Sequence, residues 1–260
     1  MLEDNFLEVS IEEELALISI HRPPLNILNF VHYHKLCERI LQLMETKKIK
    51  VVILTGSNKF FISGADIGDI SSVKTPEQCE KETNKIKYFF QQIENLKRPV
   101  IAAINGNCLG GGLELAMACH LRLANKEAKL GLPEINLGTI PSFGGTQRLP
   151  RIVGRAKGLE LILSGKLIST EEAYRIGLIN EICTSEDLIP RAKTIGHEIG
   201  AKGSLAIEAA IQAISEGLEG GIEQGMKLES FLSSRLIETM DMKEGIAAFF
   251  ERRKPVFRNS

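Results

Sequence analysis

Val100-Ile101-Ala102-Ala103-Ile104-Asn105-Gly106-Asn107-Cys108-Leu109-Gly110-Gly111-Gly112-Leu113-Glu114-Leu115-Ala116 runs from an apolar strand through a glycine-rich turn into an apolar helix. The unbroken apolar run Val100–Ile104 suits a strand covered on both faces. Three consecutive glycines, Gly110, Gly111 and Gly112, remove every Cβ from the approach to the helix N-terminus. A ligand oxygen can then reach free backbone N–H groups, with the helix dipole behind them. Such a place suits a phosphate or a developing oxyanion. The chain has no Gly-x-x-x-x-Gly-Lys-Ser/Thr loop, and Gly106–Gly112 does not fit Gly-x-Gly-x-x-Gly. The oxyanion is therefore favoured over a nucleotide phosphate. Read alone, the glycines are equally consistent with close helix–strand packing.

Working outward, Ala16–Ile20 and Lys50–Thr55 read as further buried strands and Leu121–Ala124 as a short one. Phe30–Met44 and Pro76–Leu96 carry helical apolar spacing between them. Alternating strands and helices predict an α/β layer fold. From Arg151 the spacing is helical almost throughout: 157–163, 170–176, 187–199, 204–216, 221–237 and 242–252, with only Leu178–Ile182 extended. The reading is an α/β core carrying a mostly helical C-terminal portion, divided at 1–200 and 201–260.

A second glycine turn, Phe60-Phe61-Ile62-Ser63-Gly64-Ala65-Asp66-Ile67, follows the strand at 50–55. Two carboxylates belong with these turns. Glu114 follows Gly111 by three residues and so shares its face of a helix. Glu134 sits among apolar residues and turn formers in Leu130-Gly131-Leu132-Pro133-Glu134-Ile135-Asn136-Leu137-Gly138. Either glutamate alone reads equally as a solvated side chain. With the two glycine turns, the pair points to acid–base chemistry beside an oxyanion site.

The net charge of -1 gives no reason to expect a nucleic-acid or anionic-membrane partner. No apolar run approaches the ~20 residues of a membrane span. The acidic start, Met1-Leu2-Glu3-Asp4-Asn5, argues against a signal or transit peptide, so the expected location is cytoplasmic. Cys37, Cys79, Cys108, Cys119 and Cys183 are scattered with no Cys-x-x-Cys, and His32 and His34 point to different helix faces. Unpaired, mostly buried thiols and no metal site are expected.

Taken together, the chain resembles the enoyl-CoA hydratase/isomerase (crotonase) family. The resemblance runs in order through Arg22-Pro23-Pro24-Leu25-Asn26, Ser63-Gly64-Ala65-Asp66, Gly110–Ala116, Gly131-Leu132-Pro133-Glu134, Gly144-Gly145-Thr146-Gln147-Arg148-Leu149-Pro150, and Glu244–Pro255. It implies a ββα spiral core and C-terminal helices that trimerise the subunits, often as a dimer of trimers. It implies that the amides of Ala65 and Gly111 hold a thioester carbonyl. Glu114 would activate water and Glu134 exchange the proton at the α-carbon. Relatives that only isomerise a double bond usually keep just the carboxylate matching Glu134, so hydration of a trans-2-enoyl-CoA is favoured. Isomerisation, another crotonase-type lyase reaction, or a non-catalytic binding role are the alternatives. No cofactor is implied beyond the coenzyme A of the substrate. Ser63, Gly64, Asp66, Ile67, Gly110, Pro133, Ser142, Phe143, Phe249 and Arg252 are the expected substrate contacts.

The chain departs from the family in places. Gly68 stands where a lysine often contacts coenzyme A, and a second such lysine is replaced by Pro24 or lost in a one-residue gap, with Lys59 a candidate substitute. Pro141-Ser142-Phe143-Gly144-Gly145 stands where many relatives have Gly-Ala-Gly-Gly, which predicts a narrower acyl pocket. Arg252-Arg253-Lys254 resembles a stretch that approaches the coenzyme A of a neighbouring subunit, and reads equally as a basic helix end.

Overall fold

The computed structural model describes residues 6–258. The chain opens with an antiparallel hairpin, β1 (Leu7–Glu12) and β2 (Leu15–Ile20), followed by α1 (Phe30–Glu45). Three strand pairs come next. β3 (Val51–Thr55) and β4 (Phe60–Ile62) precede α2 (Ile67–Ser72) and α3 (Pro76–Glu94). β5 (Val100–Ile104) and β6 (Asn107–Leu109) precede α4 (Gly111–Ala118). β7 (Leu121–Asn125) and β8 (Lys129–Gly131) precede a 3-10 turn (Pro133–Leu137), α5 (Gly145–Val153) and α6 (Arg155–Ser164). β9 (Ile168–Ser169), α7 (Thr170–Arg175), β10 (Glu181–Cys183) and α8 (Leu188–Gly200) complete the core. The chain continues as α9 (Ser204–Gly220), α10 (Ile222–Leu236) and α11 (Met240–Glu251).

The first strand of each pair enters a six-stranded sheet, β1-β2-β3-β5-β7-β10, and the second enters a four-stranded sheet, β4-β6-β8-β9. Successive pairs lie parallel in both sheets, so each strand–strand–helix turn stacks on the last as a spiral. Period-2 alternation divides the apolar runs between two cores. Val52, Leu54, Val100, Ala102 and Ile104 face the space between the sheets. Val51, Ile53, Ile101 and Ala103 face outward and are covered by Leu188 and Ala192 of α8. Coverage on both faces explains why these strands read as continuous apolar runs.

The strands and helices expected in the first half form within a residue or two of their expected ends. The extended segment expected at Leu178–Ile182 is displaced, because the N–H groups of Leu178 and Ile179 are taken by the Ala173 carbonyl as α7 closes, and the strand forms only from Glu181. The second sheet went unread: β4, β6 and β8 are three residues each, too short to show a period. No residue of α9 or α10 is buried, while α11 is anchored through Asp241 and Ala248.

Candidate active site

Ala65 lies just past β4, where Leu28 forms a parallel bridge with it. The bridge uses the neighbouring groups: Leu28 N–H donates to Gly64 O (3.1 Å) and Asp66 N–H to Leu28 O (2.9 Å). In a parallel pairing the amide of the bridged residue faces the opposite way. Accordingly, the Ala65 N–H donates no hydrogen bond among the described residues. Gly111 is the first residue of α4, so its N–H is one of the donors every helix start leaves over. The turn before it is pinned, with Gly110 N–H on Gly131 O (2.9 Å) and Glu114 N–H on Gly110 O (3.0 Å).

The two turns touch. Gly110, at φ +52°, brings its backbone so close that a Cβ there would lie 3.7 Å from Gly64 Cα and 2.9 Å from Glu134 Oε1. A Cβ on Gly111 would meet the Tyr33 hydroxyl at 2.5 Å and the Phe143 ring at 3.0 Å. Gly110 is therefore required by its dihedral and Gly111 by the close approach of its neighbours.

Glu114 projects from the first turn of α4 and is 1% exposed. Its Oε1 accepts two backbone hydrogen bonds, from Phe143 N–H (2.7 Å) and Gly145 N–H (2.7 Å). Burial, reinforced by the nearby Glu134 carboxylate, pushes its pKa up to about 8, against the pull of those two donors and Arg148. Glu134, at the start of the 3-10 turn, is raised to about 7 by burial. Its Oε2 and the Ser63 Oγ are buried without a hydrogen-bond partner among the described residues. Unsatisfied acceptors and hydroxyls of this kind usually await a ligand or water.

Both turns and both acids open on one cavity of about 480 Å³. It gathers Ser63, Gly64, Ala65 and Ile67 from the first turn, and Gly110, Gly111 and Glu114 from the second. Pro133, Glu134, Ser142 and Phe143 close the far side. The sequence reading missed the remaining wall, which includes Phe30 of α1, Val73 after α2, and Pro76, Cys79 and Thr83 of α3. For the residues of α1 and α3 the only signal was helical apolar spacing, which does not distinguish a core face from a pocket wall. Also unread were the Phe143 and Gly145 amides, since backbone donors leave no mark on residue type. Cys79 is exposed, whereas the other four cysteines are buried and all five thiols are free.

Three expected contacts lie elsewhere in the chain. Asp66 alternates away from the cavity along the extended segment, and its Oδ1 accepts from Gly68 N–H (2.8 Å). It lines a neighbouring groove of about 590 Å³ with Arg22, Pro24 and Ile67. Phe249 is 79% exposed near the end of α11, and Arg252 caps that helix in the left-handed conformation. Neither lines the cavity, because α11 packs through Ala248 and Asp241 and turns these two outward. Lys59 lines neither space. No His/Cys/Asp/Glu group able to hold a metal occurs among the described residues.

A spiral of strand–strand–helix turns, with two free amides, one buried and one half-buried carboxylate in one cavity, defines a crotonase-type α/β fold. Solved structures agree: an enoyl-CoA hydratase from Bacillus anthracis superposes with a TM-score of 0.93 at 36% identity, covering 98% of this chain and 100% of that one. The sequence profile of the enoyl-CoA hydratase/isomerase family matches residues 10–260, and the chain belongs to that family. Among its relatives are a probable enoyl-CoA hydratase of Bacillus subtilis (strain 168), 40% identical over 98% of this chain and 99% of the relative. A crotonyl-CoA hydratase of Syntrophomonas wolfei is also 40% identical, over 95% of each chain.

Proposed function

We propose that this chain is an enoyl-CoA hydratase, adding water reversibly to a trans-2-enoyl-CoA to give the 3-hydroxyacyl-CoA. The observation that carries the reading is the pair of glutamates, Glu114 buried and Glu134 half-buried, facing one cavity beside two uncommitted amides.

Water does not attack the β-carbon of a conjugated thioester unless the charge arriving on the carbonyl oxygen is stabilised. The N–H groups of Ala65 and Gly111 serve as its donors, and one such donor is worth about 3–4 kcal/mol of barrier. Both backbone bonds to Glu114 fall on Oε1, so Oε2 remains for the water. Glu114 takes a proton from that water as its oxygen bonds to the β-carbon. Glu134, with Oε2 unpartnered, delivers its own proton to the α-carbon as the enolate collapses. The step needs one proton on the pair. Burial raises both carboxyls, Glu114 to about 8 and Glu134 to about 7, so the pair retains a proton near neutrality. That proton is held more tightly at Glu114, and the reacting form is the one in which it sits on Glu134, the two acids titrating as a unit.

The apolar wall around Phe30, Val73 and Phe143 suits a short or medium acyl chain, with Phe143 and Ser142 narrowing its end. The coenzyme A portion leaves past Ile67, which borders both the cavity and the groove with Arg22 and Asp66. Phe249 and Arg252 become substrate contacts only through a neighbouring subunit of a trimer or dimer of trimers. We assign no resident cofactor and a role in fatty-acid or related acyl-CoA degradation, in the cytoplasm. No described helix is long and apolar enough to cross a membrane.

The test is loss of conjugated absorbance on incubation with crotonyl-CoA and longer enoyl thioesters. Glu134→Gln is expected to lose roughly 10²–10⁴ of the rate while thioester binding survives. Wild-type turnover in that variant removes Glu134 from the mechanism. Interconversion of 3-enoyl and 2-enoyl thioesters without hydration would make the enzyme an isomerase instead.

A further inference from the structure

The loop that holds Glu114 is itself wrapped around one guanidinium. Arg148 of α5 donates from Nη1 to the Phe143 carbonyl (3.1 Å), the same residue whose N–H donates to Glu114. Its other two nitrogens, Nε (3.0 Å) and Nη2 (2.8 Å), both grip Oε2 of Glu94 on α3. Gly144, between the two donors to Glu114, has φ +109°, and a Cβ there would lie 2.2 Å from Arg148 Nη1. The turn at 143–145 is thus moulded on the guanidinium, which fills the place a side chain at 144 would occupy. The Arg148 side chain is 13% exposed and that of Glu94 41%, so the guanidinium is largely shielded while its anchor is partly open to solvent.

We propose that Arg148, anchored by Glu94, is a positioning residue for Glu114: it fixes the 143–145 turn so that the Phe143 and Gly145 amides converge on one carboxylate oxygen and leave the other aimed at the water. This rests on the hydratase reading for its catalytic meaning, but the device itself does not depend on turnover. Releasing the guanidinium frees the Phe143 carbonyl, the turn relaxes, and Glu114 loses donors that favour its charged form. The charged and titratable groups facing Glu114 are Glu134 from the 3-10 turn, Arg148 from α5 and the protonated Tyr33 hydroxyl from α1. Of these, Arg148 is the cation.

Two variants test the proposal, Arg148→Met and the milder Glu94→Gln, which keeps the guanidinium and removes its anchor. In protein with glutamate carboxyl carbons labelled with 13C, the Glu114 resonance is assigned by its loss in Glu114→Gln. Its titration is expected to move upward by about one pH unit in Arg148→Met and by less in Glu94→Gln. With crotonyl-CoA, kcat is expected to fall about tenfold in Arg148→Met, a tenfold change corresponding to about 1.4 kcal/mol, with KM little changed. An unchanged Glu114 titration in folded Glu94→Gln and Arg148→Met overturns the proposal. Activity lost only in proportion to folded protein, at an unshifted titration, overturns it too. Should Arg148→Met fail to fold, Glu94→Gln alone decides. A shifted titration in an enzyme that hydrates no enoyl thioester upholds the positioning device and refutes the hydratase reading instead.

Discussion

Glu114 is held in a conflict between stability and chemistry. Folding raises its carboxyl from an ordinary 4.5 to about 8, so between those values the folded state binds more protons than the unfolded chain. Stability is therefore fully present below pH 4.5 and falls as pH rises through 8. Glu114→Gln keeps an oxygen for the Phe143 and Gly145 amides and removes the charge. That variant should be more stable than wild type at pH 8.5 by a few kcal/mol, at about 1.4 kcal/mol per pKa unit, and no more stable near pH 4.5. Thermal unfolding at the two pH values checks this. A stabilised, inactive protein would show directly what the enzyme gives up to hold a base in an apolar place.

At the scale of elements, Asn26 ties the strands together. It is 2% exposed, and its Nδ2 lies within bonding distance of the carbonyls of Ile20 (3.0 Å), Phe60 (3.1 Å) and Phe61 (3.2 Å). One side chain so joins the end of β2 to β4, one strand from each sheet, directly ahead of the Ala65 turn. Asn26 also sits at φ +51°, which asparagine tolerates better than alanine. Asn26→Ala is expected to cost about 3 kcal/mol or more in denaturant unfolding, from stranded buried carbonyls and backbone strain. Sequence alone marked Asn26 only as part of a resemblance; its bonds join residues far apart in the chain, and nothing in residue type announces them. By contrast, Lys50–Thr55 and Val100–Ile104 were legible because double-sided burial writes itself as an unbroken apolar run. The glycine turns and both glutamates were legible because an absent Cβ and an acid among apolar residues are local statements. Asp66 lines the groove and not the cavity because one residue of alternation decides which side of a turn it faces, and that register is set by Leu28.

Across the whole molecule, apolar side chains stand outside the core on the last helices. Ile214 (64% exposed), Leu218 (84%), Ile222 (80%) and Phe231 (58%) cluster along α9 and α10, which meet closely at Gly217 and Gly225. The trimer proposed above would cover these side chains. Leu218→Lys combined with Ile222→Lys is expected to lower the mass seen by light scattering to that of one chain, with the core sheets intact by circular dichroism. An undiminished mass would move the interface elsewhere. The cysteines make such measurements easier than the chain's composition suggests. With four thiols sealed inside and Cys79 alone in solvent at the rim of the cavity, a maleimide dye would attach at one known point. The fold thus supplies its own fluorescent sentinel at the doorway, ready to report each thioester that passes.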